Sequence, residues 1–178
     1  MKRGTKSLLF GVHQFAWHPL VVWAAWVWLY RSLPTWRECV CIVVHDWGYW
    51  GCAAMDDAHG ERHPEVGASI VSRLLGRDHA DLVLLHSRHL ARSLGREPSR
   101  LCWADKLSIA FEPWWLYLPR AWLSGELAEY RAVAARTGYI QISASHRAWH
   151  RWVRDGMVKV GKTQRADAMT YMTPRRPR

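Results

Sequence analysis

The chain has 178 residues and a mass of 20.7 kDa, enough for one domain with a substantial hydrophobic core and too little for two. Apolar residues make up 49% and charged residues 22%, a balance that excludes wholesale disorder. The net charge of +10 is concentrated at the ends: residues 1–6 contribute +3 and residues 147–178 contribute +7, whereas residues 7–146 carry 13 basic and 13 acidic side chains. We therefore expect a neutral domain over 7–146, followed by a basic C-terminal helix and tail over 147–178.

Helical patterns cover most of the chain, and strand-like alternation is scarce. Pro19 and Pro64 stand where the first turn of a helix tolerates proline, and Thr35 is a suitable N-cap. Residues 47–62, between the predicted helices at 36–46 and 65–75, hold three glycines and are typical of a long functional loop. A Trp-rich connection is expected over 111–123. The predicted helices lie at 20–30, 36–46, 65–75, 78–94, 100–111, 126–136 and 143–155. The fold class is therefore all-α, a compact single-domain bundle.

The longest apolar run, Leu20 to Tyr30, has eleven residues, well short of the roughly 18–20 that a membrane-spanning helix needs. The basic N-terminus resembles the start of a signal peptide, but His13, Gln14 and His18 interrupt the apolar part that would follow. We therefore predict a cytoplasmic protein without membrane contact. The four cysteines form no C-x-x-C pair, which favours reduced structural thiols over metal ligands.

Histidines and aspartates fall at the edges of the predicted helices. His18 opens the first helix, His45 and Asp46 end the second, and Asp105 interrupts an otherwise apolar face. A lone carboxylate on such a face is unfavourable unless it is paired or binds a metal. His63 precedes the third helix, and His86 and His89 are placed one turn apart on the fourth. In helical bundles, metal sites are formed by imidazoles and carboxylates that point inward from separate helices.

This order resembles the HD superfamily of metal-dependent phosphohydrolases. The matching segments are HPLVVWAAW, CIVVHDWGYWG, HPEVGASI, LLHSRHL and WADKLSI, which together cover the core motifs over about 13–112. HPEVGASI is similar to the corresponding stretch of the HD-GYP cyclic-dinucleotide phosphodiesterases. The resemblance implies an all-α domain of the HD type that binds one or two divalent ions.

By this resemblance, His18, His45, Asp46 and Asp105 would hold one metal, and Asp46 would bridge to a second held by His63 and His86. His13 competes with His18 as the first ligand, and His18 is preferred because it lies at the helix entrance. Mixed imidazole and carboxylate ligation suits Mn, Fe, Co, Ni or Zn, and the residues do not choose among these metals.

The expected catalytic residues are those near the metal that could bind phosphate or move a proton: Asp46, Asp57, His89, Arg88 and Lys106. The loop acids Asp56, Asp57 and Glu61 could act as a general base or help to bind a cation. Many catalytic members of the HD superfamily carry a lysine three residues after the aspartate of the His-Asp pair, whereas this chain has Tyr49. A tyrosine hydroxyl can donate a hydrogen bond to a phosphoryl oxygen but brings no positive charge. Arg62, Arg88 or Lys106 would then supply that charge.

The resemblance implies hydrolysis of a phosphoester or phosphoanhydride in a small nucleotide-like substrate by metal-activated water. Two alternatives stay open. HD-fold di-iron oxygenases similar to myo-inositol oxygenase use the same six ligands, and an HD scaffold could bind nucleic acid through the basic C-terminal tail. The tail could make a weak nucleic-acid contact in the enzyme too, and the Trp-rich stretch is a candidate surface for a homo-oligomer.

Overall fold

The structure is a computed structural model that describes residues 1–136, 138 and 140–172, with side chains up to residue 165. Three arginines of the predicted basic tail, Arg175, Arg176 and Arg178, lie outside the described residues. The described part contains ten α-helices and no strand, so the all-α prediction is confirmed. The helices are α1 (Arg3–Phe10), α2 (His18–Tyr30), α3 (Trp36–Val44), α4 (Pro64–Leu75), α5 (Arg77–Leu84), α6 (Arg88–Ser93), α7 (Arg100–Leu107), α8 (Trp114–Ser124), α9 (Glu126–Arg136) and α10 (His146–Met172).

Local sequence signals account for where several helices begin. The Thr35 side chain accepts a hydrogen bond from the Glu38 backbone N–H, and the Glu38 carboxylate accepts one from the Thr35 N–H at 2.7 Å, so α3 starts with a capping box. Ser99 caps α7 by accepting from the Cys102 N–H. Pro19 and Pro64 lie in the first turns of α2 and α4.

The predicted helix over 78–94 is wrong in one respect, because the structure divides it into α5 and α6. Ser99 forms the break. Its hydroxyl donates to the Leu82 carbonyl at 2.7 Å, and its backbone N–H donates to the Leu85 carbonyl at 2.9 Å. The Ser87 side chain then caps α6. As a result, His86 lies between the two helices, and the expected one-turn spacing of His86 and His89 on one helix is lost.

Three further differences concern the ends of the chain and the Trp-rich stretch. Helix α1 was not predicted, and α8 replaces the expected connection even though Pro119 lies inside it. Helix α10 is longer than the predicted 143–155 and includes much of the proposed tail. It packs against α2, α7 and α8, and Trp149 is buried in this contact. Gly161 approaches Leu107 so closely that a Cβ added at position 161 would lie 3.2 Å from the Leu107 side chain.

The main core lies among α2, α3, α4, α5 and α7, and a second apolar cluster joins α8, α9 and α10. Trp26 and Leu29 of α2 are fully buried in the main core. All four cysteines are free thiols, as predicted, and three of them are buried. Within the described ranges, no helix has the combination of length and apolar character required to cross a bilayer.

Candidate metal centre

Six histidine and aspartate side chains converge on one point of the bundle. Each comes from a helix end or a connection, except Asp105, which lies inside α7. All six are 1–8% exposed. The six are His18 at the start of α2, His45 and Asp46 after α3, His63 before α4, His86 between α5 and α6, and Asp105.

Four of them form what we call the four-residue group: His18, His45, Asp46 and Asp105. The Nε2 atom of His18 lies 3.1 Å from Asp105 Oδ1 and 3.2 Å from Asp46 Oδ2. The Nε2 atom of His45 lies 3.0 Å from Asp46 Oδ2 and 3.8 Å from Asp105 Oδ1. Residues 87 positions apart thus meet within hydrogen-bonding distance.

The three-residue group consists of Asp46, His63 and His86. Here the carboxylate uses its other oxygen, since Oδ1 lies 3.4 Å from His63 Nε2 and 3.5 Å from His86 Nε2. The two Nε2 atoms are 3.0 Å apart. Asp46 therefore presents one oxygen to each group and lies between them.

Backbone carbonyls orient three of the imidazoles. The Nδ1 atoms of His45, His63 and His86 lie 2.6–2.7 Å from the carbonyl oxygens of Ile42, Gly60 and Val83. A carbonyl oxygen can only accept, so each Nδ1 carries the hydrogen and donates it. In the neutral ring, Nε2 then has a lone pair that faces the centre, the tautomer in which histidine binds a metal through Nε2.

Electrostatics make this arrangement unfavourable unless a cation is present. Burial lowers the pKa of His63 to about 4 and also lowers the pKa of His86, so both rings stay neutral and their lone pairs face one another. Burial would also lower the pKa of His45, but the charges of Asp46 and Asp105 outweigh it and raise the pKa to about 10. His45 therefore carries a proton on Nε2 that a bound cation would replace.

The donor set fits a divalent metal ion. Ligand atoms bound at about 2.0–2.2 Å to one ion, at right or tetrahedral angles, lie about 2.8–3.6 Å apart. Most of the separations within both groups fall in that range. Among the described residues, His45 Nε2 and Asp46 Oδ2 are buried without a hydrogen-bond partner, which is the condition that a bound cation would relieve.

His13, the rival of His18 for the first ligand position, belongs to neither group. Its Nδ1 lies 2.8 Å from Glu126 Oε1, and its ring packs edge-on against His18 at 5.2 Å. Glu126 is fully buried and also accepts from the Val12 backbone N–H and the Ser7 hydroxyl. The structure thus places His18 among the candidate ligands and His13 behind it.

A cavity of about 260 Å³ opens beside the four-residue group. Arg88 and Lys106 line it, as does Asp56, and the Lys106 ammonium donates to Asp105 Oδ2 at 2.9 Å. Burial would lower the pKa of Lys106, but the Asp105 charge raises it above its usual value, so the side chain stays charged. Tyr49 also lines the cavity and stacks on His63 with ring centroids 3.8 Å apart.

Two predicted catalytic residues lie elsewhere. The Asp57 carboxylate is exposed and accepts hydrogen bonds from the backbone N–H groups of His59 and Gly60, so it caps the turn that leads to His63. His89 is exposed on α6. The loop acid that reaches the cavity is instead Asp56, and burial together with Glu129 raises its pKa.

Sequence patterns did not reveal two supporting acids on α9, Glu126 and Glu129. The Glu129 carboxylate accepts from the backbone N–H groups of Met55 and Asp56 and pairs with Arg3 at 2.6 Å, so it anchors the loop beside the cavity. Acidic residues in the first turn of a helix usually interact with the helix dipole, and nothing local indicates a distant partner.

A scan against protein-family models and searches of curated proteins and solved structures found no match.

Proposed function

We propose that this protein is a metal-dependent phosphohydrolase that acts on a small phosphoester or phosphoanhydride. The observation that carries the proposal is Asp46, whose two carboxylate oxygens face two separate groups of buried ligands. Such a shared carboxylate is typical of paired metal sites in phosphoryl hydrolysis. The resemblance to the HD superfamily supports the same chemistry.

The four-residue group would hold one ion and the three-residue group the other. Bound divalent ions supply an activated water and neutralise charge on the phosphoryl oxygens. His63 and His86 keep their Nε2 lone pairs available because each Nδ1 donates to a backbone carbonyl, and an ion bound at His45 would replace the proton on its Nε2.

Side chains of the cavity support a phosphate-bearing substrate. Lys106 and Arg88 would donate to the phosphoryl oxygens beside the four-residue group. Asp56 has a raised pKa and so accepts a proton more readily than an ordinary carboxylate. The cavity of about 260 Å³ is smaller than the 300–1,000 Å³ common for drug-sized ligands, so it would take the phosphate and the group next to it.

Metal content and turnover test the proposal together. The purified chain is analysed for bound elements, stripped with a chelator and reloaded in turn with Mn, Fe, Co, Ni and Zn. Phosphate release is then measured across nucleoside mono-, di- and triphosphates. We expect about two ions per chain and turnover that Asp46→Asn abolishes. The matched control is Asp81→Asn, a surface carboxylate that pairs with Arg96.

Two outcomes contradict the proposal. No phosphate release with any of the five metals, from protein that binds them, excludes phosphohydrolysis of these substrates. Iron-dependent oxygen consumption without phosphate release assigns the centre to oxygenase chemistry instead. Lys106→Met provides a further check: it removes a donor to phosphate but none of the six candidate ligands, so we expect a raised KM with metal content unchanged.

A further inference from the structure

A second cleft, of about 620 Å³, lies between the start of α8 and the first turns of α10. Arg147, Arg151 and Arg154 line it from α10, and Trp114 and Trp115 line it from α8. The three arginines are four and three residues apart, so they share one face of the helix. With a rise of about 1.5 Å per residue they span about 10 Å. None of these side chains lines the cavity at the candidate metal centre.

The arginines of this cleft are available for an anionic ligand. Within the described residues, Arg147 and Arg151 have no carboxylate partner, and Arg154 pairs only with Asp155. Both side chains of that pair are about half exposed, so the pair contributes little. The acid that lines the cleft, Glu112, is buried and neutralised by Arg120. The cleft therefore presents uncompensated positive charge.

A buried histidine gives a second, independent sign of a ligand. His150 lines the cleft, is 4% exposed, and packs against Tyr117 with ring centroids 5.1 Å apart. Its Nε2 has no hydrogen-bond partner in the described part of the chain. Buried polar atoms without partners are rare in folded proteins, and a bound ligand is one of the ways in which they are satisfied.

Aromatic surfaces accompany the charge. The Arg147 guanidinium lies 4.0 Å from the centre of the Trp114 ring, and Trp115 is 62% exposed. Further along α10, Lys162 and Arg165 fall on the same helical face, beyond the partly buried Val158, and Arg165 lies over the Trp28 ring at 5.1 Å. From residue 147 to residue 165 the face extends about 27 Å. Such a length suits an extended ligand better than a compact one.

We propose that the cleft and the basic face of α10 bind single-stranded nucleic acid, with backbone phosphates on Arg147, Arg151 and Arg154 and a base against Trp115. Basic grooves with interleaved aromatic side chains are how proteins hold single strands without regard to sequence. The site is separate from the proposed hydrolytic cavity and does not depend on its function.

The test is fluorescence anisotropy of the full chain with labelled dT12 and rU12 at several salt concentrations. Three phosphate contacts predict that log K falls with log salt at a slope of about −2, since each contact to a single strand contributes about −0.7. Arg151→Gln should reduce the slope by about 0.7. Trp115→Ala should weaken binding by about 5- to 150-fold. Both side chains are exposed, so folding should be preserved, which circular dichroism checks.

Matched controls lie on another part of the surface. Arg73→Gln on α4 and Trp36→Ala on α3 remove an exposed arginine and an exposed tryptophan away from α10, and both should leave affinity and slope unchanged. Asp46→Asn should also bind the oligonucleotides normally. The proposal is overturned if dTMP or UMP competes as well as the 12-mers, if duplex DNA binds more tightly than either single strand, or if the Arg73 and Arg151 variants lose affinity equally.

Discussion

The four-residue and three-residue groups share Asp46 but are held by different kinds of structure. In the four-residue group, His18 begins α2 and Asp105 lies inside α7, and both helices pack in the main core. In the three-residue group, His63 ends a single 3₁₀ turn, and His86 lies in the break between α5 and α6. Two members of the four-residue group are thus held by packed helices, whereas both histidines of the three-residue group lie in connecting segments, whose local opening usually requires less free energy.

The groups also differ in charge. Burial would raise the carboxyl pKa values of Asp46 and Asp105, but both lie well below the usual value, so both are ionised. Neighbouring histidines lower the pKa of Asp46, and Lys106 together with histidines lowers that of Asp105. The four-residue group thus offers two carboxylates to a cation, and the three-residue group offers one, which is shared. We expect the four-residue group to bind its ion more tightly and the three-residue group to lose its ion first when a chelator is added.

Asp46→Asn should have the largest effect, because it removes a charged ligand from both groups at once. Mutating a residue that only supports a metal ligand typically lowers metal affinity about 10- to 100-fold. Removing a ligand that both ions share should therefore lower the affinity for each ion by more than about 100-fold. After dialysis, elemental analysis of the Asp46→Asn variant should find less than about one ion per chain. Retention of two ions would show that Asp46 does not bridge the groups.

Asp105→Asn and His86→Gln test the two groups one at a time, because Asp105 belongs only to the four-residue group and His86 only to the three-residue group. His86→Gln should leave one ion per chain, held by the four-residue group, whereas Asp105→Asn should weaken the tighter site and leave sub-stoichiometric metal. Asp105 also accepts from Lys106, so its variant replaces a charged pair with a weaker, neutral acceptor for that ammonium. The comparison is made by isothermal titration with Mn. Equal losses in the two variants would show that the groups do not differ in affinity.

Several of the six residues could be placed from the sequence because they lie at helix boundaries that local chemistry defines. Thr35 and Glu38 fix the start of α3, and Pro64 fixes the start of α4, which places His63. Convergence then follows from packing the apolar faces of the helices together. The identity of the chemistry stays a prediction, since no comparison tests it.

Other features depend on contacts that local sequence does not encode. The break that holds His86 arises because Ser99, 13 residues further on, takes the carbonyls of Leu82 and Leu85. The sequence identified Asp56 and Asp57 as loop acids, but which of them faces the cavity is decided by tertiary contacts such as those of Glu129. Patterns with a helical period carry no information about such partners.

The Gly67→Ala variant tests whether moving α4 disturbs the three-residue group, which contains His63, without disturbing the four-residue group. A Cβ at Gly67 would lie 2.5 Å from the Val44 carbonyl oxygen and 3.3 Å from that of His45, so α4 must move away from the end of α3. We expect a loss of about 1–3 kcal/mol in the free energy of unfolding, as for other overpacked sites. Displacement of His63 should also release the ion of the three-residue group first, measured by elemental analysis.

Gly156→Ala is the matched control for this substitution. Nothing in the described structure lies within 4 Å of a Cβ at Gly156, which is inside α10. Alanine is the better helix former, so stability should rise by about 0.5–1 kcal/mol with both ions retained. A similar loss of metal in both variants would mean that the close approach at Gly67 does not position His63.

The pH dependence of the Glu126→Gln variant tests whether the Glu126–His13 pair stabilises the four-residue group. His13 packs against His18, a member of that group. Burial would raise the Glu126 pKa, but the hydrogen bond and charge of His13 lower it below its usual value of 4.5. Its stabilisation is therefore complete above about pH 4.5 and is lost as pH falls through the lowered value. The His13 pKa is raised by Asp46 and Glu126 against the effect of burial, so its contribution is complete below pH 6.5 and is lost as pH rises.

Urea unfolding in a chelator measures the free energy of unfolding of both proteins. The variant should be less stable by about 1–2 kcal/mol, with the largest difference between pH 4.5 and 6.5. A deficit that does not change from pH 3 to 9 would show that the pair does not act through its charges.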